Sequence, residues 1–533
     1  MPAQTTAAGA PSHVEIAPRS LALVSATVML GVIMAIIDST IVNVALDKIA
    51  GNLGASIDEV AWVATGYILS ALIVMPLNGW LTAALGRKRF YAICVAIFTL
   101  ASLLCGTATN IWQLVFYRIV QGFGGGALQP TAQAIMFESF PRDQRGKAMA
   151  IFGMAAMAGP AIGPLLGGYL VANYDWPLIF FINIPLGIIA FLMTLAYIED
   201  PPYRVKPAGS FDYIGLGSMV LGLGSLQYVL ERGQHDDWFN SPTIVILSIT
   251  AVGGLITFIA REIMTRYPLV DLRIFKNRSF AAGNVISIVS GFGLFGLSLV
   301  LPLFMQTLLG WDAWQTGVAL LPGAVATALS MVVVGRLSSR IDARVLMAAG
   351  LIVFGIGSWV MGYLYQNAGY WDLFWPRAAQ GFGIGLLFVP LTVVTMSSVP
   401  LDQTASASGL LTLVRQLGGS LGIAALTTYL QSDTASVYAG LSSGVNTGRA
   451  VVGQTLAQLQ AFFEQHGYGA VQAHALALAQ IAQMTQLDAN AIAYENLFRI
   501  SGVLFFVSLL ALLLLANPKV RSGPSAQQVI APD

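Results

Sequence analysis

The sequence predicts an all-α membrane protein: two six-helix bundles with two extra transmembrane helices between them, fourteen spans in all. Three observations predict it: a composition too apolar for a soluble core, a succession of apolar segments long enough to cross a bilayer, and basic residues gathered on alternate connections. Hydrophobic residues make up 56% of the 533 positions and charged residues 10%, against roughly 25% charged in a soluble domain. A soluble core cannot hide that much apolar surface, so lipid is the solvent. The net charge of +1 and the lack of a clustered basic face exclude nucleic acid as a partner.

A spanning helix needs about 20 predominantly apolar residues. Six such segments lie near 21–46, 58–82, 89–108, 112–136, 146–172 and 177–198. Two follow at 211–230 and 242–262, then six at 279–305, 313–334, 344–365, 372–398, 405–430 and 497–516. They divide the chain into a tail (1–20), an N-terminal bundle (21–198), an inserted pair with its linkers (199–278), a C-terminal bundle (279–516) and a second tail (517–533). The first apolar stretch is too long for a signal-peptide core and lacks a clear cleavage site, so it reads as a retained helix.

Of the 26 lysines and arginines, 19 fall at Arg19, 87–89, 142–147, 204–206, 261–278, 336–344 and 519–521, all on one side of this alternation. Lys48, Arg232, Arg449 and Arg499 fall on the other, and Arg118, Arg377 and Arg415 lie inside apolar segments. Cytoplasmic loops hold the excess of basic residues, so the chain is expected in the inner membrane with both termini cytoplasmic. One outer connection, 431–496, is long and rich in Ala, Gln and Ser. It reads as surface packing or disorder, with Val471–Leu487 a candidate docking helix.

The two bundles repeat each other. Arg118-Ile-Val-Gln121-Gly122-Phe-Gly-Gly-Gly126 recurs as Arg377-Ala-Ala-Gln380-Gly381-Phe-Gly-Ile-Gly385, each in the fourth helix of its group and each followed by a proline, Pro130 or Pro390. These glycine runs lack the strand that a dinucleotide-binding loop requires. In membrane helices they read as close-packing surfaces.

Asp38 is the one carboxylate read as lying deep in a span. Burial favours the neutral form of such a group, and a deep acid faces a cavity or a partner, so Asp38 is the candidate proton carrier. Arg118 belongs to the same half and is its expected partner. Arg377 and Arg415 read as structural, satisfied by carbonyls and by Gln380 or Gln416. Gly159-Pro160-Ala-Ile-Gly163-Pro164-Leu-Leu-Gly167-Gly168 predicts a kinked, closely packed fifth helix. Cys94 and Cys105 read as small buried residues, and the four histidines fall in loops or the tail. No metal-ligand spacing, Walker loop or catalytic set appears, so no enzyme, metal or cofactor is expected beyond a proton gradient.

These stretches resemble the major facilitator superfamily, specifically its fourteen-helix drug:proton antiporters of the EmrB/QacA type, over nearly the whole chain. Asp38-Ser-Thr-Ile-Val-Asn43 is similar to the family's first-helix signature, with Asp47 standing where a proline is usual. Arg118–Gly126 resembles the fourth-helix motif linked to proton coupling, and Gly159–Gly168 the antiporter motif. Gly79, Gly86, Arg87 and Lys88 match the gating-loop motif, in which Ala83 replaces an aspartate. The resemblance implies the major facilitator fold, alternating access, hydrophobic small-molecule substrates and protons as ligands, and Asn43, Trp62, Tyr67 and Gln129 as substrate contacts. It also suggests a periplasmic adaptor and an outer-membrane channel as partners. Transport of one specific metabolite or lipid-like compound is the alternative.

Overall fold

A computed structural model describes residues 20–200, 211–338, 340–365, 367–445 and 449–515. Both tails and the linker bearing Arg204 and Lys206 lie outside the described residues. Within them every regular element is helical.

The first group comprises α1 (Leu21–Leu53), α2 (Ile57–Leu85), α3 (Arg87–Gly106), α4 (Ile111–Ser139), α5 (Arg145–Asn173), and a short α6 (Leu178–Phe181) leading into α7 (Asn183–Tyr197). The inserted pair is α8 (Tyr213–Arg232) and α9 (Pro242–Met264). The second group starts with α10 (Arg278–Gly291), which continues through a π-helical turn, Phe292–Gly296, into α11 (Leu297–Thr307). It goes on with α12 (Ala313–Leu337), α13 (Ala343–Met361), α14 (Tyr370–Ser397), α15 (Thr404–Gly444), α16 (Ala450–Gln465) and α17 (Ala470–Leu512). Thirteen spans among the described residues are long and apolar enough to cross a membrane. The remaining expected one, α4, has 29 residues but is made too polar by Gln113, Arg118, Gln121, Gln129 and Gln133.

Local signals start these helices where the sequence changes character. Ser56 and Glu59 form a capping box at α2, and Asp312 and Gln315 form another at α12. Asn110, Asp212 and Asn277 cap α4, α8 and α10 with their side chains, satisfying amides that lipid cannot. Gly86 holds φ +90 between α2 and α3, a conformation open to glycine and strained for other residues.

Within 431–496 the helix expected at Val471–Leu487 is present as the first part of α17, and most of the remainder, read as surface packing or disorder, is helical as well. α15 has 41 residues and α17 has 43, each roughly 60 Å at 1.5 Å per residue, twice the ~30 Å hydrocarbon core. Both project beyond the bilayer on the face opposite the basic loops, and α16 packs against the projecting part of α17. Alanine and glutamine favour helix without adding apolarity, so the segment is helical while carrying no membrane signal.

The halves meet toward the basic face. Asn78 Nδ2 donates to Ala405 O at 2.9 Å, Ser408 Oγ to Pro130 O at 2.8 Å, and Thr412 Oγ1 to Gln133 Oε1 at 3.4 Å. Glycines let the backbones close there: a methyl at Gly79 would collide with Ser406, one at Gly409 with Met75 O, and one at Gly146 with Ser338. The seam joins the last turns of α2 and α4 and the first of α5 to the first turns of α15 and the last of α12.

Within the N-terminal half, α5 is an unbroken helix lying along α1. Side chains at Gly159, Gly163 and Gly167 would strike Ile36, Thr40 and Ile41 in turn, whereas Gly168 has no neighbour within 4 Å. Pro164 is exposed, and the Pro160 side chain lies outside what is described. Gly163→Leu is therefore expected to destabilise the protein by about 1–3 kcal/mol through overpacking and to impair transport, while Gly168→Leu should do neither. Thermal unfolding of the detergent-purified variants checks this, and equal shifts would refute the α1–α5 contact.

Candidate functional site

Asp38 lies on α1 and is fully buried, and so is Arg118 on α4. Arg118 Nη1 donates to Asp38 Oδ2 at 2.5 Å. The other carboxylate oxygen, Oδ1, accepts from Gln121 Nε2 at 2.9 Å and from Asn183 Nδ2 at 2.7 Å. Arg118 Nε donates to Val63 O at 3.0 Å, and Nη1 also reaches Gln121 Oε1 at 2.6 Å. Ser102 Oγ accepts from Gln121 at 2.7 Å and from Asn183 at 3.4 Å. The guanidinium lies over the Tyr67 ring, 4.3 Å from its centroid, with Phe180 at 5.7 Å. Five long helices thus converge on one carboxylate: α1, α2, α3, α4 and α7.

Helix geometry explains the convergence. Arg118 and Gln121 are three residues apart and so share one face of α4. The glycine run lets that face come close: a methyl at Gly122 would strike Ser70 and Tyr67 O, one at Gly124 would lie 2.7 Å from Cys94 O, and one at Gly126 would lie 2.5 Å from the Ala71 Cα. Gln121, Asn183 and Ser102 are the partners that reading the sequence for charges did not single out. An asparagine at the start of a long apolar helix, in Phe-Phe-Ile-Asn183-Ile-Pro, is the signal that could have found one of them.

The remaining site candidates are dispersed. Tyr67 is only 6% exposed and is enclosed beneath Arg118. Trp62 packs against Tyr228 of the inserted pair at 5.7 Å. Asn43 is exposed, five residues beyond Asp38 on α1, and Gln129 is half-buried on α4. Arg87 pairs with Glu138 at 2.6 Å, and the Lys88 amide donates to Asp200 at 3.0 Å, which anchors the α2–α3 loop within its own half. Next to Trp62 on α2, Thr65 donates to Glu231 of α8 at 2.7 Å.

The two other intramembrane arginines differ from each other. Arg377 donates to Gln380 Oε1 at 3.3 Å, as expected. Arg415 makes no hydrogen bond to Gln416, because adjacent helical residues point to different sides. Its Nε and Nη2 are buried without partners, and its guanidinium lies 4.5 Å from the Phe388 ring centroid.

Removing one partner of a buried ion pair leaves an uncompensated charge. Arg118→Leu is expected to cost about 3–5 kcal/mol on that basis, and adding Asp38→Asn to it should restore part of the loss. Thermal unfolding of the two single variants and the double variant reads the coupling, and additive losses would show that the pair contributes nothing of its own.

Residues 28–423 match the Major Facilitator Superfamily. The chain is 33% identical over 504 residues to the fatty acid resistance protein FarB of Neisseria gonorrhoeae, covering 95% of this chain and 97% of that one. It is 32% identical over 504 residues to the multidrug export protein EmrB of Escherichia coli K12, covering 94% and 96%. The colistin resistance protein EmrB of Acinetobacter baumannii is 30% identical over 487 residues, covering 91% and 94%. In fold the chain is similar to the proton:xylose symporter XylE bound to 6-bromo-6-deoxy-D-glucose, with TM-score 0.59, 14% identity and coverage of 93% and 96%. It is similar as well to the human organic anion transporter MFSD10, with TM-score 0.58, 14% identity and coverage of 93% and 100%. With its helical repeat, its convergent first half and this likeness along nearly its full length, the chain belongs to the Major Facilitator Superfamily and is a multi-pass membrane protein.

Proposed function

We propose that the chain is a proton-coupled antiporter that exports hydrophobic drugs or toxic small molecules across the inner membrane by alternating access. It is a transporter and not an enzyme, and it needs no cofactor besides the proton gradient. The observation that carries the coupling is the fully buried Asp38, held by Arg118, Gln121 and Asn183 where five helices meet. The likeness to EmrB- and FarB-named proteins supports export.

The basic face is the cytoplasmic one, so the seam of small residues closes the cytoplasmic side. In this state Asp38 and Arg118 are paired. Protonation removes the carboxylate charge and with it the ion pair, leaving Arg118 to Val63 O and Gln121. α1 is then released from α4 while it stays packed on α5 along Gly159, Gly163 and Gly167. α4 and α5 both end in the seam, so the proton biases whether the seam holds. Substrate and proton compete through this equilibrium without sharing a site. Asn43 and Gln129, both partly open, are the candidate substrate contacts.

Asp38→Asn should abolish active efflux and substrate-induced proton release while the protein still folds, and Asp38→Glu should keep partial activity with a displaced pH optimum. Proton flux in everted vesicles measures both, and wild-type flux from Asp38→Asn would move the coupling site elsewhere.

The projecting ends of α15 and α17 support docking to a periplasmic adaptor and, through it, an outer-membrane channel. Deleting 440–485 should lower efflux across the whole envelope while sparing transport in vesicles; loss of both would reject docking. A cysteine at Ser442 should react with an impermeant reagent from outside the cell, and labelling from the cytoplasm alone would invert the topology.

A further inference from the structure

Arg415 is 5% exposed and makes no hydrogen bond or ion pair among the described residues. Its Nε and Nη2 are enclosed and unpartnered. A guanidinium stays charged in a protein, and an uncompensated charge in a low-dielectric interior is among the costliest arrangements a fold can hold. Among the described residues no acid relieves it: Asp38 already has its three donors, and no other carboxylate there is paired with Arg415.

Its position points to what meets it instead. Arg415 lies three residues beyond Thr412, where α15 is tied across the seam to Gln133, so it stands just above the closed cytoplasmic floor. Gln133 is itself fully buried with its Nε2 unpartnered. Phe388, beneath the guanidinium, stacks with Phe152 of the other half, with centroids 6.3 Å apart. Unused N–H donors and aromatic faces from both halves therefore lie together where the halves part.

We propose that Arg415, with Phe388 and Phe152, receives the acidic headgroup of an amphipathic anionic cargo, a carboxylate on an apolar body. The guanidinium supplies two N–H donors to the carboxylate, and the two rings supply apolar contact that one half alone does not complete. This deepens the export reading and rests on it, assigning Arg415 a part in substrate specificity and none in proton coupling.

The test compares two ligands matched in chain length and opposite in charge, dodecanoate and dodecyltrimethylammonium. Binding to the full-length protein in phosphatidylcholine nanodiscs is measured by equilibrium dialysis, with empty discs subtracted. Arg415→Gln should weaken dodecanoate binding at least tenfold and leave dodecyltrimethylammonium within about twofold, and Arg415→Lys should recover part of the dodecanoate affinity. Equal weakening of both ligands, or no change in either, would overturn the proposal. If Arg415→Gln does not elute as a single folded species, Phe388→Leu takes its place: selective weakening of dodecanoate supports the site, and unchanged or equal binding rejects it. Adding phosphatidylglycerol to the discs separates cargo from lipid, because displacement of dodecanoate from the wild-type protein would assign Arg415 to a lipid headgroup. Binding in discs needs no proton gradient, so this outcome is independent of whether Asp38→Asn abolishes proton flux.

Discussion

A carboxylate buried in lipid must find all of its hydrogen-bond donors inside the protein, and the N-terminal half is organised around meeting that demand for Asp38. The guanidinium of Arg118 alone would leave one oxygen bare, so α4 adds Gln121 and α7 adds Asn183. Those carboxamides need orienting in turn, and Ser102 of α3 and the Val63 carbonyl of α2 fix them and the guanidinium. Such a network works only if α4 can approach α2 and α3 closely. Gly122, Gly124 and Gly126 allow that approach, so the glycine run and the ion pair are one device.

The internal repeat shows which part of this device is general. In the second half Gly381 and Gly385 seat α14 on α12, and Gly383 seats it on α13, as their counterparts seat α4. Gln380 Nε2 donates to Ser358 at 3.0 Å, matching Gln121 and Ser102, and Arg377 reaches Gln380 as Arg118 reaches Gln121. The arginine–glutamine–serine scaffold is thus common to both halves, but only the first has an acid in it. The duplicated scaffold packs a helix, and one added carboxylate turns one copy into a buried ion pair.

Much of this was legible because lipid simplifies the rules. Apolar length marked most spans, and a charge inside one stood out, which is how Asp38 and Arg118 could be paired before any coordinates. The glycine stripe on α5 was legible through its four-residue spacing. Neutral partners were not: Ser102 and Asn183 look like ordinary polar residues until their helices bring Asn183 to the carboxylate and Ser102 to the carboxamides that hold it. Trp62 looked like a cavity residue and packs against Tyr228, because the sequence does not say against which face of the first half the inserted pair settles. In the 431–496 segment only the helix at Val471–Leu487 was legible, since alanine-rich helices leaving the membrane carry neither apolar length nor a sharp boundary.

The helices that carry the ion pair also form the seam between the halves. Toward the basic face the halves touch through glycines, serines and backbone carbonyls, with hydrogen bonds such as Asn78 to Ala405 and Ser408 to Pro130, and through apolar packing that includes Phe152 on Phe388. A net neutral hydrogen bond contributes only about 0.5–1.5 kcal/mol, so the buried apolar packing that the two halves share carries much of this contact. α4 and α5 connect the ion pair and the seam directly: α4 carries Arg118 above and Gln133 below, and α5 holds α1 above and α12 below. The buried ion pair and the seam are thus joined by the length of the same two helices.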